Sequence, residues 1–311
     1  MQRSFIGSLM ELAESDDNIL YLTADSGEGG LDAMFRRNFP DRVFDFGIAE
    51  GNMVAAAAGL AITGKIPFVY TAAPFLCYRA YEFIRNDVCL QKLPVKLVGS
   101  GSGITTSALG PTHHSTEDIS VLAPLPGLKI LSPATPKQAY ESIIDAYNYD
   151  GPVYIRLGMN GERELFNDDY HLVNNKMDVV REGSEITIFV TGSIIDEAIK
   201  AAEILWENGI SVAVINVSTI KPIDKEEIVY RGLKSRIICS VEEHNVIGGL
   251  GSLIAEILYN SKSSSYFIKI GSNDCFAKGY GNLSQVRKEN RLDADSIAHE
   301  IISVYKQEEE R

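Results

Sequence analysis

The stretch Val43-Phe-Asp-Phe-Gly-Ile-Ala-Glu50-Gly-Asn-Met53-Val-Ala-Ala-Ala-Ala-Gly-Leu60 joins two kinds of regular structure. Residues 43–46 form a short, mainly apolar run that is typical of a buried β-strand. Residues 51–63 are apolar and rich in alanine, which is typical of a buried helix. A strand that leads directly into a helix is the repeating unit of a parallel sheet covered by helices, so this stretch predicts an α/β fold.

The same alternation continues in both directions from this stretch. It predicts a first group of strands near residues 19–23, 43–46, 67–71, 95–99, 128–131 and 153–157, with helices near 51–63, 80–90, 116–122 and 136–149. Residues 158–184 are polar and without periodicity, which is typical of a linker. The alternation then restarts with strands near 186–190, 212–217, 237–241 and 266–270, and helices near 194–207, 225–231, 251–259 and 294–306. We therefore expect two doubly wound, mainly parallel domains, residues 1–165 and 180–311.

The composition agrees with a globular protein of about two domains. The chain has 311 residues, of which 45% are hydrophobic and 23% charged. Its net charge of −13 is poorly suited to sequence-independent binding of nucleic acid. The four cysteines show neither paired nor zinc-type spacing, and the first residues lack the apolar core of a signal peptide. These features predict a reducing, cytoplasmic environment without a membrane span.

Three segments place polar residues or glycines at predicted strand ends, where open α/β sheets bind ligands. In the first, Glu50 ends a strand and begins the apolar helix. A carboxylate in such a place is unfavourable unless it has a partner. It is either a helix-start carboxylate favoured by the helix dipole or a group kept for a ligand.

The second segment, Gly110-Pro-Thr-His113-His114-Ser-Thr-Glu117, is a turn that opens a helix. A metal site made of His113 and Glu117 would lack further ligands, since His114 points elsewhere on a helix. Two interpretations of the turn remain open. A histidine here either bonds only to the backbone or donates a proton in a cleft.

The third segment, Val241-Glu-Glu-His244-Asn-Val-Ile-Gly248-Gly-Leu-Gly251, predicts a strand, a glycine turn and a helix. It suggests a dinucleotide site, but the third glycine of that fingerprint is replaced by Ile254. Glycines that allow the helix to pack closely on its strand are the favoured interpretation.

Taken in order, these segments resemble the C-terminal half of transketolases, in the form of the separate small subunit of split, two-subunit enzymes. The resemblance extends over nearly the whole chain. It rests on Thr23-Ala-Asp25, Gly47-Ile-Ala-Glu50-x-Asn-Met53, Arg79-Ala-Tyr-Glu-x-Ile-Arg85-Asn86, Gly110-Pro-Thr-His113, Gly151-Pro-Val-Tyr-Ile-Arg156-Leu-Gly158 and Val241-Glu-Glu-His-x-x-x-Gly-Gly-Leu-Gly251.

The resemblance implies thiamine diphosphate chemistry at a subunit interface. Glu50 matches the glutamate that hydrogen-bonds a nitrogen of the aminopyrimidine ring. A carboxyl that shares a proton there stabilises the imino tautomer, whose nitrogen removes the C2 proton of the thiazolium, and burial favours the neutral carboxyl. His113 matches a histidine that donates to the substrate oxygen on which charge develops.

The resemblance also implies the remaining cofactor contacts. Phe75 matches an aromatic residue that packs on the pyrimidine, with Tyr78 as a second candidate. Asp25 matches an aspartate beside the cofactor, although its position alone equally fits a polar turn residue. The family's Gly-Asp-Gly motif, which holds Mg²⁺ and the diphosphate, does not occur in the sequence. The expected partner is therefore an N-terminal, diphosphate-binding transketolase subunit, in an α2β2 heterotetramer.

Several departures from the family concern the substrate. Typical transketolases grip a sugar phosphate with an arginine, a serine and a histidine at the positions of Met159, about Gly29 and Gly101, and they read sugar hydroxyls with an acidic residue at the position of Leu109. Arg163 is the one nearby candidate for a replacement cation. The departures predict ketol transfer on a non-standard sugar, unphosphorylated or linked to a nucleotide.

Other functions stay open at this point. The beta subunit of a 2-oxoacid dehydrogenase or decarboxylase has similar domains but does not usually show Gly-Pro-Thr-His at the helix start. A 1-deoxyxylulose 5-phosphate synthase carries both halves in one chain. A non-catalytic subunit would have no use for a carboxylate at an apolar helix start, and a lone dinucleotide-binding module would need the complete glycine fingerprint.

Overall fold

The computed structural model describes residues 1–26, 31–159, 161–173 and 175–309. Its strands are β1 (Ile19–Thr23), β2 (Val43–Asp45), β3 (Ile66–Ala72), β4 (Lys96–Ser100), β5 (Lys129–Leu131), β6 (Val153–Leu157), β7 (Asp178–Arg181), β8 (Ile186–Thr191), β9 (Val212–Asn216), β10 (Thr219–Lys221), β11 (Ile237–Asn245) and β12 (Tyr266–Ser272).

The α-helices are α1 (Gln2–Ser15), α2 (Leu31–Asn38), α3 (Glu50–Ile62), α4 (Tyr81–Phe83), α5 (Asp118–Leu122), α6 (Pro136–Asn148), α7 (Ile195–Glu207), α8 (Lys225–Lys234), α9 (Leu250–Ser261), α10 (Leu283–Glu289) and α11 (Ala294–Glu309). Two π-helical turns, Phe75–Arg79 and Ile84–Cys89, flank α4. Two 3₁₀ turns are formed by Pro40–Arg42 and Gly192–Ile194. No helix within the described ranges is long and apolar enough to cross a membrane.

The strands form two sheets, as the alternating pattern predicts. The first has the order β10-β5-β6-β4-β3-β1-β2 and the second β12-β11-β8-β9-β7. All neighbours pair in parallel except β10 and β7, which are antiparallel edge strands. The prediction of two mainly parallel α/β sheets is confirmed, and every strand that it includes is present. Strand β11 runs four residues past its predicted end, to Asn245.

Helices cover both faces of the first sheet. Strands β1, β4, β5 and β6 are buried along their whole length, which explains their continuous apolar sequences. One face packs against the alanine-rich helix α3, whose small side chains let the helix lie close to the strands. The other face packs against α1 and α6. Helix α6 begins at Pro136 and is capped by Thr135, whose hydroxyl accepts from the amide of Gln138.

Two edge strands differ from the sequence-based expectation. Strand β7 lies inside residues 158–184, which we expected to be a linker throughout, and pairs with β9. Strand β10 lies inside the predicted second domain but pairs with β5 and completes the first sheet as a seventh strand. Both are only three or four residues long and depend on a distant partner strand, so local periodicity gives no signal for them.

Candidate active site

A cavity of about 330 Å³ opens at the carboxyl edge of the first sheet. Its walls include four of the five residues predicted for the site: Asp25, Glu50, Phe75 and His113. They are distant in sequence, but they follow β1, β2, β3 and β4, whose carboxyl ends meet at this edge. The fifth predicted residue, Tyr78, does not line this cavity.

Glu50 is the first residue of α3, and it is only 1% exposed. Its Oε2 lies 2.5 Å from Nη1 of Arg79, whose side chain is 47% exposed. The Arg79 guanidinium carbon also lies 4.9 Å from the centre of the Phe75 ring. The arginine thus supplies the partner that a buried carboxylate needs, in addition to the favourable helix dipole. Because Arg79 is half exposed, this partner is able to move away without unpacking the core.

Asp45, the last residue of β2, joins two loops of the cavity wall. Its Oδ1 accepts hydrogen bonds from the amides of Asp25, at 3.1 Å, and Gly47, at 2.9 Å. These bonds help to hold Asp25 with a positive φ of 47°, a conformation that aspartate adopts more readily than most residues. The sequence analysis missed Asp45. Its one signal is that it is an acidic residue at the end of an otherwise apolar strand.

His113 and Phe75 form the opposite wall. Their rings meet edge to face, with centroids 5.1 Å apart and planes at 73°. The amide of His113 donates to the carbonyl of Gly110, which has a φ of +73° and closes the turn. Thr112 Oγ1 lies 2.9 Å from His113 Nδ1. The imidazole is thereby held at the cavity on a turn whose shape requires glycine at position 110.

Tyr78 lies on the other side of Phe75, in a second cavity of about 320 Å³ that also contains Arg79 and His114. Its hydroxyl donates to Oε2 of Glu117 at 2.8 Å and accepts from the Glu117 amide at 3.1 Å. Tyr78 therefore braces the end of the histidine turn. Across the described residues, no group of three or more histidines, cysteines and acidic residues is arranged to hold a metal ion.

Two further histidines, His114 and His244, differ from each other. His114 is 4% exposed and neither ring nitrogen has a hydrogen-bond partner. Burial lowers the pKa of His114, although the nearby Glu243 acts in the opposite direction. His244 is fully buried, its Nε2 accepts from the amide of Ser120 at 3.3 Å, and its Nδ1 lies 2.7 Å from the Asn245 carbonyl. These contacts assign the proton to Nδ1 and make His244 a satisfied core histidine.

The glycine-rich third segment is closed by a carboxylate of the chain itself. Glu242 accepts from the amides of Leu250, at 2.6 Å, and Gly251, at 2.8 Å, at the start of α9. A Cβ on Gly249 would clash with Glu242 Oε2. The glycines therefore serve close packing, the interpretation that the incomplete fingerprint favours. Glu242 occupies the helix start where a dinucleotide phosphate would bind.

The predicted departures from the family lie in or beside the first cavity. Leu109 and Met159 line it, and Gln2 Nε2 lies 3.6 Å from the Met159 sulfur. A side chain at Gly101 would clash with Thr106 Oγ1, so this loop has no room for a histidine there. Gly29 lies outside the described residues. Within the described chain the cavity is lined by no lysine or arginine, and Arg163 does not line it.

Comparisons with known proteins identify the two domains. A family profile described as the transketolase pyrimidine-binding domain matches residues 3–160, and one described as the transketolase C-terminal domain matches residues 175–297. The chain is 39% identical to one subunit of the apulose-4-phosphate transketolase of Actinobacillus succinogenes, over 92% of each chain. It is 35% identical to a 6-deoxy-6-sulfo-D-fructose transketolase subunit of a Clostridium species, over 97% of this chain and 94% of the other. A solved split-gene transketolase, an inactive β4 tetramer, superposes with a TM-score of 0.86 at 34% identity, covering 96% of this chain and 95% of that one.

Proposed function

The chain belongs to the transketolase family of thiamine diphosphate-dependent transferases, and we propose that it is the pyrimidine-binding subunit of a two-subunit enzyme that transfers a two-carbon ketol unit between sugars. The observation that carries the proposal is the cavity at the carboxyl edge, which has a buried carboxylate on one wall and an imidazole on the other. Similarity to named transketolase subunits over more than nine-tenths of their length supports it.

The cavity fits the pyrimidine half of thiamine diphosphate. Buried Glu50 offers a carboxyl group to a ring nitrogen, and Phe75 offers an aromatic face for stacking. Nothing comparable serves the diphosphate, because no cation lines the described cavity and the sequence lacks the Gly-Asp-Gly motif. We therefore assign the diphosphate and Mg²⁺ to a partner, the diphosphate-binding subunit.

When bound, thiamine diphosphate supplies the nucleophilic carbon that accepts the ketol unit. Glu50, whose side chain is buried, holds a proton at the ring nitrogen of the pyrimidine. Arg79 releases the carboxylate for this task by turning toward solvent. His113, across the cavity, donates to the substrate oxygen on which negative charge develops.

Exposed apolar side chains around the cavities favour a partner subunit. Ile48 and Leu109 lie at the first cavity and are 72% and 53% exposed. Phe276, at the second cavity, is 75% exposed, and Tyr280, packed on Gly110, is 67% exposed. Such clustered apolar surface is typical of an interface. We propose that the diphosphate-binding subunit covers it, in an α2β2 heterotetramer.

We further propose that the substrate is not a standard pentose or hexose phosphate. Met159, Leu109 and Gly101 remove the charged and polar contacts that grip such a substrate. A lost bidentate arginine contact weakens binding of a phosphate by roughly 1.5–3 kcal/mol. The two relatives are named for apulose 4-phosphate and 6-deoxy-6-sulfo-D-fructose, which supports a sugar other than the standard pentose and hexose phosphates. Because no lysine or arginine lines the described cavity, we propose an unphosphorylated or nucleotide-linked sugar whose charge lies away from this wall.

Reconstitution with the diphosphate-binding subunit tests the proposal. Calorimetric titration with thiamine diphosphate and Mg²⁺ is expected to give saturable binding to the complex and negligible binding to this chain alone. Steady-state assays then compare sugar donors and acceptors. Tight binding by the isolated chain would contradict the division of labour between subunits.

Two assay results would change the assignment. Turnover of xylulose 5-phosphate with ribose 5-phosphate at a kcat/KM of about 10⁴ M⁻¹s⁻¹ or above would show a conventional substrate. Decarboxylation of pyruvate without ketol transfer between sugars would favour a 2-oxoacid enzyme or a deoxyxylulose phosphate synthase instead.

A further inference from the structure

The turn that carries His113 belongs to a loop between β4 and α5 that is held both by its own hydrogen bonds and by residues outside it. Within the loop, Gly103 and Ser115 form one isolated antiparallel bridge, with N···O distances of 3.1 and 2.8 Å. Further support comes from residues distant in sequence. The position of the imidazole therefore also depends on the residues outside the loop that contact it.

Arg156 is the central support. It lies on β6 and is 2% exposed, and its guanidinium donates to three different parts of the chain. Nε donates to Asp118 Oδ2 at 2.8 Å, and Nη2 donates to the carbonyls of Ser115, at 3.3 Å, and Glu243, at 2.8 Å. A single side chain thus joins the first sheet, the loop two residues past His113, and strand β11 of the second sheet.

The second sheet presents a rigid surface to this loop. The Glu243 carboxylate is fixed by Arg287 Nε at 2.7 Å and by Ser193 Oγ at 3.2 Å. Gly103 lies so close that a Cβ there would be 2.6 Å from the Glu243 Cβ. The Asn245 amide also donates to the Thr116 carbonyl at 2.7 Å. The loop is therefore packed tightly between the two sheets.

We propose that Arg156 is a positioning residue for ketol transfer, which fixes the loop against the second sheet and so sets the place of the His113 imidazole beside Phe75. The proposal rests on the proposed role of His113 at the substrate. It gives the C-terminal domain a part in catalysis, because the Glu243 carbonyl is one of the three acceptors that orient the guanidinium. Misplacing a reacting group by about 1 Å is able to lower a rate by about a hundredfold.

The geometry requires arginine in particular. A guanidinium is a planar fork that donates in several fixed directions, whereas a lysine ammonium is a compact charge at the end of a flexible chain. Arg156→Lys therefore keeps a cation beside Asp118 but loses bonds to the carbonyls of Ser115 and Glu243. Charge and burial are retained, and the orientation of the loop is lost.

A double-mutant cycle in the reconstituted complex tests this. Arg156→Lys is expected to lower kcat about tenfold or more, with the Kd for thiamine diphosphate unchanged. In a His113→Gln background the same substitution is expected to cause no further loss, since its effect passes through the imidazole. Lys129→Arg is the matched control, because it exchanges another buried cation, paired with Asp145, at the amino-terminal end of the neighbouring strand β5. It is expected to leave kcat unchanged.

Hydrogen exchange on the chain without its partner provides a second measurement that needs no activity. Amides of residues 103–117 are expected to exchange faster in Arg156→Lys than in the wild type, with strands β8 and β11 unchanged. If Arg156→Lys does not fold, Asp118→Asn tests the same network, because it weakens the partner of Nε while it keeps the shape of the side chain.

The two proposals fail in different ways. An inactive wild-type complex, or wild-type kcat in His113→Gln, would refute the proposed function of the site. Normal kcat in Arg156→Lys, losses that multiply in the double mutant, or unchanged exchange of residues 103–117 would refute the positioning role of Arg156.

Discussion

Two buried glutamates, Glu50 and Glu242, lie near the carboxyl ends of the two sheets, the first at the start of helix α3 and the second within strand β11. Each lies at the carboxyl end of a parallel sheet, close to glycines and to the start of a helix. Glu242 accepts from two helix-start amides and so completes helix α9. Glu50 instead pairs with the half-exposed Arg79 and faces a cavity.

The difference teaches how a structural carboxylate is told from a functional one. Partners of Glu242 are backbone amides that have no other acceptor and cannot leave without unwinding the helix. The partner of Glu50 is a flexible side chain at the protein surface. A buried charge whose only strong partner is able to move away is free for a ligand, and this property is visible in the contacts but not in the local sequence.

The largest expected effect concerns Glu50. In the assembled complex, Glu50→Gln is expected to lower turnover by about 10² or more, because the amide is unable to share a proton with the pyrimidine. The fold is expected to stay intact, since glutamine has nearly the same shape. Exchange of the cofactor C2 proton, followed by NMR, measures the step directly. Near-normal exchange would remove Glu50 from its assigned role.

Glu117→Gln is the matched control for this experiment. Glu117 lies near the same cavities but accepts hydrogen bonds from Tyr78 and Thr116 within the chain. Its substitution is expected to have a much smaller effect on turnover. An effect on turnover as large as that of Glu50→Gln would show that the loss in Glu50→Gln is not specific to Glu50.

Glu242→Gln is expected to give the reverse result. The amide has one acceptor oxygen for two helix-start donors, so one hydrogen bond is lost and stability falls by about 1–3 kcal/mol. Turnover of the assembled complex is expected to change little. Urea unfolding of the isolated chain measures the first effect, and steady-state kinetics the second. A variant with normal stability but no activity would show that Glu242 has a catalytic role rather than a structural one.

Glu242→Gln is also expected to change how the free energy of unfolding depends on pH. Burial raises the pKa of Glu242 above its ordinary value of 4.5. The folded chain therefore keeps its proton to higher pH than the unfolded chain, and stability is lost as the pH rises from 4.5 through the folded pKa. Glu242→Gln lacks this contribution, so its unfolding free energy is expected to fall less steeply over that range.

The smallest expected effects are the stability losses caused by alanine at two glycines, Gly249 near Glu242 and Gly51 beside Glu50. A Cβ on Gly249 would clash with both Glu242 Oε2 and His244 Nδ1, and both groups are buried. Gly249→Ala is expected to lower stability by about 1–3 kcal/mol. The nearest neighbour of a Cβ on Gly51 would be the partly buried Phe83 ring, at 2.7 Å, which is able to turn aside. Gly51→Ala is expected to cost less than about 1 kcal/mol. Equal thermal shifts would contradict the contrast.

Much of the fold was predictable because parallel strands that are buried on both faces leave a strong signal. Ile19–Thr23 and Val153–Leu157 were predicted to the residue, since each is a short apolar run between polar turns. Helix α1 was not among the predicted helices. Strands β7 and β10 were missed because edge strands of three or four residues exist through their pairing with β9 and β5, which no local pattern contains.

The site was predictable only in part. Spacing alone left Glu50 and His113 with two interpretations each, and the family resemblance favoured the functional ones. The pair of Glu50 with Arg79 was not predictable, because it depends on the π-helical turn that brings a residue 29 positions away back to the helix start. The contacts of Arg156 were likewise hidden, since two of its three acceptors are backbone carbonyls on other elements.

The position of strand β10 in the sequence affects how the chain folds during synthesis. Six strands of the first sheet have left the ribosome once residue 157 has emerged, but the seventh, Thr219–Lys221, follows only after β8 and β9 of the second sheet. Until then the outer edge of β5 is open to pairing with other chains. The first sheet is therefore completed only while the second is being synthesised, and a chaperone that shields nascent edges would act on the interval between residues 157 and 221.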